Sequence, residues 1–378
     1  MGARFGAPRF ELADIVRQHR ATLESELHLS LEQRRALTDI AQCRTAALGG
    51  HLDECSEHCG YEQPSYNSCR NRHCPKCQAL NQEKWIEAER QRLLDVPHFH
   101  VVFTLPAELR SLAAFAPTVV YGLLFSCAGA TLRAFGGSHL NAMIGATLVL
   151  HTWTKELLFH PHVHAIVSGG GARDDGTWAS ARQDFLFPVK GMGRVFRGKM
   201  REALRTAYDD GAFGNFDEFQ DPEAFDCLSK RLAQKPWYIH AQRSFSRAKY
   251  VVEYLGRYTH RVGLSNGRIL AVTDDRIVIR TRGDARAAMK PFELLARLVR
   301  HVLPTGFHKI RHIGLYASPK ARALARPALP TEVPPPLDYR ERLFLLTGRD
   351  VRCCPRCGCV LIARALPTSR GPPSSAPS

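Results

Sequence analysis

Two imidazoles one residue apart, His162 and His164, stand in the run His160-Pro161-His162-Val163-His164-Ala165-Ile166-Val167. In an extended strand they point to one face while Val163 points to the other, so together they can hold one divalent cation and leave coordination positions open for a phosphate. Three phenols, Tyr250, Tyr254 and Tyr258, recur every fourth residue and share one face of a helix. A phenol with a pKa of about 10 attacks a phosphate only when a metal polarises that phosphate and cations steady the developing charge. Arg257 and Arg261 lie beside it in the chain. Each feature has an ordinary counterpart. A His-x-His triplet arises by chance in a chain with 17 His, and His98-Phe99-His100 repeats it. A tyrosine stripe is commonly packed on a sheet. Context decides between the readings.

The cysteines suggest a second chemistry. Three residues separate Cys55 from Cys59, two separate Cys74 from Cys77, and fourteen lie between the pairs. Two knuckles of this spacing predict one tetrahedral, structural Zn²⁺ on Cys55, Cys59, Cys74 and Cys77, the ion substituting for a hydrophobic core. Cys43, His51, His58, Cys69 and His73 lie near enough to compete as donors, and there is room for a second ion. Arg70, Arg72, Lys76 and Lys84, with Tyr61, Tyr66 and Trp85, form the mixture of cations and rings that holds phosphates and stacks bases; a solvated basic face is the alternative. In the tail, Cys353, Cys354, Cys357 and Cys359 are too dense for one unstrained tetrahedron. They either bind a metal with help from elsewhere in the chain or make a redox-labile end.

The elements that must position these groups read as α+β. Helical patterning covers residues 31–38, 112–135, 195–208, 249–258 and 292–302, and strand patterning covers 98–105, 146–152, 162–168, 185–189 and 237–241. Asp174-Asp175-Gly176 reads as a tight turn, and 269–272 with 277–281 as a hairpin about Asp274-Asp275. The Pro-rich stretch 318–337 reads as a tether and 365–378 as disordered. The uncharged run 112–130 is interrupted by Pro117, Gly122 and Gly129, so it reads as a buried helix rather than a membrane span.

The chain has 378 residues, of which 44% are hydrophobic, and 52 Lys plus Arg against 36 Asp plus Glu leave a formal charge of +16. This composition excludes wholesale disorder and fibrous structure, fits two or three domains, and favours a polyanionic partner, nucleic acid first. The opening residues carry no secretory pattern, and the thiols group as metal knuckles rather than disulfides, which points to a reducing cytoplasm.

Four runs, in this order, resemble one family. They are Tyr66-Asn67-Ser68-Cys69-Arg70-Asn71-Arg72-His73-Cys74-Pro75-Lys76-Cys77-Gln78, then His98-Phe99-His100-Val101-Val102-Phe103-Thr104-Leu105-Pro106, then His160 to His164, then Tyr254-Leu255-Gly256-Arg257-Tyr258-Thr259-His260-Arg261. Together with His151-Thr152-Trp153 and the run His301 to Phe307, they are similar to the zinc-finger HUH transposases of rolling-circle insertion sequences, the insertion-sequence-ninety-one type. The resemblance implies an HUH endonuclease-like antiparallel sheet with helices, a zinc-binding DNA-recognition domain at 1–94, a tyrosine nuclease domain at 95–317, and a linker with a Cys-rich tail at 318–378. His162 and His164 would bind Mg²⁺ or Mn²⁺, and a third ligand is not named. Tyr254 and Tyr258 would be the nucleophiles, with Tyr250 outside the matched motif, and His98 and His100 would stand on a strand beside the site. Arg70, Arg72, Lys76, Arg257 and Arg261 would contact DNA, expected as single-stranded or hairpin element ends on the nucleoid, with no membrane involved. One departure is the three-residue gap of Cys55-Ser56-Glu57-His58-Cys59, where relatives more often have two. The rival reading is a non-enzymatic zinc-dependent nucleic-acid binder.

Overall fold

The computed structural model describes residues 9–182, 186–219, 221–242, 256, 263–329 and 335–366. The expected helix at 249–258 lies outside these residues except for Gly256, which is helical. Tyr250, Tyr254, Tyr258, Arg257 and Arg261 are therefore outside the described residues.

The chain opens with two helices, α1 (Leu12–Glu26) and α2 (Leu31–Gln42). The second starts where Ser30 and Gln33 cap each other: the Gln33 N–H donates to Ser30 Oγ at 3.3 Å, and the Ser30 N–H donates to Gln33 Oε1 at 2.9 Å. A hairpin of β1 (Gly50–Cys55) and β2 (Glu62–Tyr66) follows, then helix α3 (Ala79–Arg92).

Period-2 patterning then builds the central sheet from β3 (His98–Thr104), β4 (Met143–Trp153) and β5 (Phe159–Ala172). Between β3 and β4 run α4 (Arg110–Phe115) and α5 (Pro117–Leu140), where one helix was expected. Pro117 opens the second helix because its ring cannot continue the first. Among the described residues α5 is the one helix long and apolar enough to cross a membrane, and 61% of its most apolar window is buried within the fold. The turn at Asp174–Gly176 returns the chain as β6 (Trp178–Ser180), paired to β5, with Gly176 at φ 81°. Residues 186–188 make a bend rather than the expected strand, because Pro188 caps helix α6 (Val189–Asp209), which leads to α7 (Pro222–Gln234).

Strand β7 (Ile239–Gln242) comes next, followed by the small sheet β8 (Ile269–Val272), β9 (Ile277–Arg280) and β10 (Arg286–Met289), helix α8 (Pro291–Val299) and strand β11 (Ile310–Gly314). The central sheet has the order β11-β4-β5-β3-β7, antiparallel throughout. One face is apolar: Phe99, Val101, Phe103, Ala146, Leu148, Leu150, Val163, Ala165 and Val167 pack into the main core with α5 and α6. The other face carries the histidines. The α+β class and antiparallel sheet agree with expectation.

Packing crosses the boundaries drawn from sequence. Leu12, Ile15, Leu37 and Ile40 of the first two helices share a core with Ile277, Ile279, Leu294 and Leu298, far along the chain. The stretch read as a tether contains α9 (Pro319–Ala323), and its Ala325 and Ala328 are buried with Tyr316 and Leu94. Helix α10 (Tyr339–Thr347) then rests on α3, where Arg342 Nε donates to Glu87 Oε2 at 2.9 Å. Last, β12 (Leu361–Leu366) pairs antiparallel with β1, so the end of the chain completes the first sheet.

Candidate active site and zinc clusters

The register of the central sheet brings three imidazoles together. His151 on β4 lies opposite His162 on β5, and Val149 opposite His164, so all three rings project from the same face. One ligand nitrogen from each lies within 4.8 Å of the others. Ring centroids of His151 and His164 are 4.2 Å apart, and those of His162 and His164 are 4.7 Å apart. His151 is the third donor that the sequence pattern left unnamed, its one signal being even spacing with Thr147 and Val149 along a strand beside the His pair.

Hydrogen bonds orient the rings. His162 Nδ1 lies 2.6 Å from the carbonyl of His160, so Nδ1 carries the proton and Nε2 keeps its lone pair. His164 Nδ1 lies 2.7 Å from His100 Nε2, with the two rings stacked at 5.0 Å. His100 thus does more than occupy a neighbouring strand. Burial holds His162 down to about 4 and His100 to about 4, and pushes His151 and His164 well below the ordinary histidine value, so at neutral pH these are uncharged donors. Among the described residues the pocket is lined by His151, Trp153, Thr154, Lys155, His160, His162 and His164, none of them a carboxylate. A cation held there keeps its charge until an anion arrives, and a phosphodiester supplies one.

Helix α3 covers the adjoining part of this face through Ile86, which shares a core with Val149 and Ile166. At its far end Glu89 accepts from Thr147 Oγ1 at 2.9 Å, Thr147 Oγ1 lies 3.0 Å from His312 Nδ1, and burial raises the Glu89 carboxyl above its usual range. His98, also on β3, bonds Tyr316 Oη at 2.6 Å and is structural. Two glycines, on either side of Tyr258 in the sequence, pack beside this face. Gly256 lies against Ile86 and Trp85 so closely that a Cβ has no room, and Gly263 lies equally close to Trp153, whose ring stacks on His151 at 5.0 Å.

The four cysteines expected to share one zinc do not come together. They divide between two sets, Cys43, Cys69, Cys74 and Cys77 in one and Cys55, Cys59, Cys354 and Cys357 in the other, each with its sulfurs within 4.8 Å of one another. The hairpin explains the division. Cys55 and Cys59 sit at the tip of β1–β2, and Cys69 follows the return strand back to its base, where the Arg44 N–H donates to Asn67 O at 3.1 Å and Cys43 ends α2. Five strand steps separate tip from base, about 17 Å, far beyond the reach of one ion's ligands. In the basal set Cys69 and Cys77 sulfurs are 3.7 Å apart, close to the about 3.8 Å edge of a zinc–thiolate tetrahedron with Zn–S of about 2.3 Å. Four thiols in this arrangement fit Zn²⁺.

The cations expected on this module differ in availability. Arg70 is exposed, whereas Arg72 Nη1 donates to Phe307 O at 2.9 Å and Lys76 pairs with Glu11. Arg70, Arg72 and His73 line a cleft with Val302, Leu303, Pro304, Thr305 and Gly306.

Comparison with known proteins accords with both halves of this picture. A family described as "Transposase zinc-binding domain" matches residues 15–105, and one described as "Putative transposase" matches residues 145–323. The putative transposase y4qJ of Sinorhizobium fredii is 40% identical over 92% of this chain and 92% of its own. The transposase for insertion sequence element IS801 of Pseudomonas savastanoi is 27% identical over 75% of this chain and 70% of its own. The chain belongs to the IS91 family of transposases, with an N-terminal zinc-binding domain. Among solved structures, the relaxase TrwC complexed with a 27-mer DNA aligns over 42% of this chain and 71% of its own, at 13% identity and a TM-score of 0.23.

Proposed function

We propose that this transposase cleaves and rejoins single-stranded DNA at element ends through a 5′-phosphotyrosine linkage, in rolling-circle transposition on the nucleoid. The observation that supports it most is the cluster of three uncharged imidazoles, with no carboxylate among the described residues that line the pocket. Mg²⁺ or Mn²⁺ bound by His151, His162 and His164 would supply Lewis-acid polarisation of the scissile phosphate.

The chain's own residues do the rest. The His160 carbonyl fixes the His162 tautomer that turns the Nε2 lone pair to the pocket, and His100 orients the His164 ring. Tyr254 or Tyr258 gives its phenolic proton to solvent and attacks phosphorus. The Oη–P bond forms, the P–O3′ bond breaks, and the leaving strand departs with a 3′ hydroxyl. That hydroxyl later reverses the exchange, so the bond is remade without hydrolysis. The second tyrosine attacks a second phosphate while the first is occupied, and the 3′ hydroxyl freed from one strand then attacks the other strand's phosphotyrosine, forming P–O3′, breaking Oη–P and joining donor to target. Arg70, Arg257 and Arg261 steady the DNA backbone, and one structural Zn²⁺ on Cys43, Cys69, Cys74 and Cys77 holds the recognition module.

Incubating the protein with labelled single-stranded element ends and Mg²⁺ should give an adduct that survives denaturation, lost in the Tyr254→Phe/Tyr258→Phe variant. Binding without any adduct would favour the non-enzymatic reading. Cleavage that persists in the double variant would show that water, not tyrosine, is the nucleophile.

A further inference from the structure

We infer that Cys55, Cys59, Cys354 and Cys357 form a second structural zinc site, one that clasps the two ends of the chain together. The inference is independent of the tyrosine chemistry.

The sulfur geometry comes first. Cys55 and Cys357 sulfurs lie 3.3 Å apart and those of Cys59 and Cys354 3.5 Å apart, and all four lie within 4.8 Å of one another. A disulfide would hold its pair at about 2.05 Å and leave the other two sulfurs outside, whereas a zinc tetrahedron spaces every pair by about 3.8 Å. All four belong to the chain's free thiols.

The backbone is built for the same purpose. Each pair is a knuckle closed by glycine, Cys59-Gly60 with φ 78° and Cys357-Gly358 with φ 79°, a conformation that costs other residues steric strain. Around the second knuckle the Arg356 N–H points at Cys354 Sγ at 3.4 Å and the Cys354 N–H donates to Cys359 O at 2.7 Å. Amides aimed at sulfur favour the thiolate, the form that binds metal. Arg356 also reaches across to the first knuckle and donates to Gly60 O at 2.8 Å.

Among the described residues the ribbon has no apolar core of its own. None of the described residues of β1, β2 or β12 except Cys55 is fully buried, and no residue of the three strands belongs to a hydrophobic cluster. Cys55 and Cys354, each 3% exposed, are the buried points at its tip. Three short strands without an apolar face are marginal in water, and a four-thiolate ion supplies what packing does not. Cys353 is exposed, and neither it nor Cys359 joins the set, so the tail's four cysteines divide into two ligands and two bystanders.

The test is the metal content of the full-length protein purified under reducing conditions. Two zinc ions per chain are expected in the wild type and in Cys353→Ser/Cys359→Ser, and one in Cys354→Ser/Cys357→Ser. Cobalt(II) substitution should show tetrathiolate absorption that halves in Cys354→Ser/Cys357→Ser. Trypsin should cut at Arg352 and Arg364 in that variant much faster than in the wild type. One zinc ion in the wild type, or two retained in Cys354→Ser/Cys357→Ser, overturns the assignment. If that variant cannot be purified, stepwise release by a mercurial from wild type decides: two ions from eight thiols supports the site and one ion from four refutes it.

Discussion

His100 Nε2 sits 2.7 Å from His164 Nδ1, in a stacked pair that joins β3 to the histidine row of β5. A ring that grips a ligand from behind sets its tautomer and basicity, and loss of such a partner typically costs 10–100-fold in metal affinity. His100→Phe should therefore raise the Mg²⁺ or Mn²⁺ concentration needed for half-maximal adduct formation by about that factor. Zinc content should stay at the wild-type value, since neither thiol set touches His100.

Gly256 lies against Ile86 with no space for a side chain. Gly256→Val should push its own backbone away from Ile86 and depress adduct formation by at least tenfold, an effect comparable to the loss caused by small misplacements of a reacting group. Binding of Mn²⁺ followed by electron paramagnetic resonance should be unchanged, because the three imidazoles belong to β4 and β5. Equal loss of both would mean that the glycine supports the whole face rather than the segment.

Lys309 is held down to about 7, first by burial and then by the charge of Arg72, and among the described residues it has no ion pair with a carboxylate. Between pH 7 and its ordinary value near 10.5 the unfolded chain binds a proton that the folded chain does not, so this residue makes stability rise with pH across that window. Lys309→Met should be more stable than wild type at pH 7 by on the order of 1–3 kcal/mol, with the gap closing toward pH 10. Urea midpoints at pH 7 and pH 9.5 check this. Its charge also reaches His151, so the same variant should bind single-stranded DNA more weakly.

The two thiol sets should differ in what their loss damages. Cys43 and Cys74 are fully buried and belong to the core that α1 and α2 share with β9 and α8. Cys43→Ser/Cys74→Ser should lower the unfolding temperature cooperatively by 5 °C or more, on the order of 2 kcal/mol for a domain of this kind. Cys354→Ser/Cys357→Ser should leave the main transition in place. Calorimetry of the two variants side by side distinguishes them.

Much of the central sheet was legible because its strands alternate apolar and polar residues, and one slip in register would turn a histidine into the apolar core. Residues 98–105, 146–152 and 162–168 each lie within or one residue past β3, β4 and β5. The His162 and His164 pair was legible for the same reason, whereas His151 required the β4–β5 register, which no local pattern encodes. Cysteine spacing showed that knuckles exist and mispaired them. Ligand sets are chosen by strand direction: Cys55 and Cys74 lie at opposite ends of a hairpin, and the partners of Cys55 lie about three hundred residues on, with |i−j| of 302 for Cys357. Helix α1 escaped notice because Arg17, His19 and Arg20 break its apolar stripe, although Leu12, Ile15, Val16 and Leu23 are buried.

The pairing of β12 with β1 also orders events during synthesis. A ribosome adding about 5–20 residues per second releases the first hairpin long before its third strand exists. The sheet begun by β1 and β2 can therefore close only once β12 has been made. A copy whose reading frame is cut short between Tyr339 and Leu361 would keep the histidines and tyrosines named above and still emerge with its first sheet open.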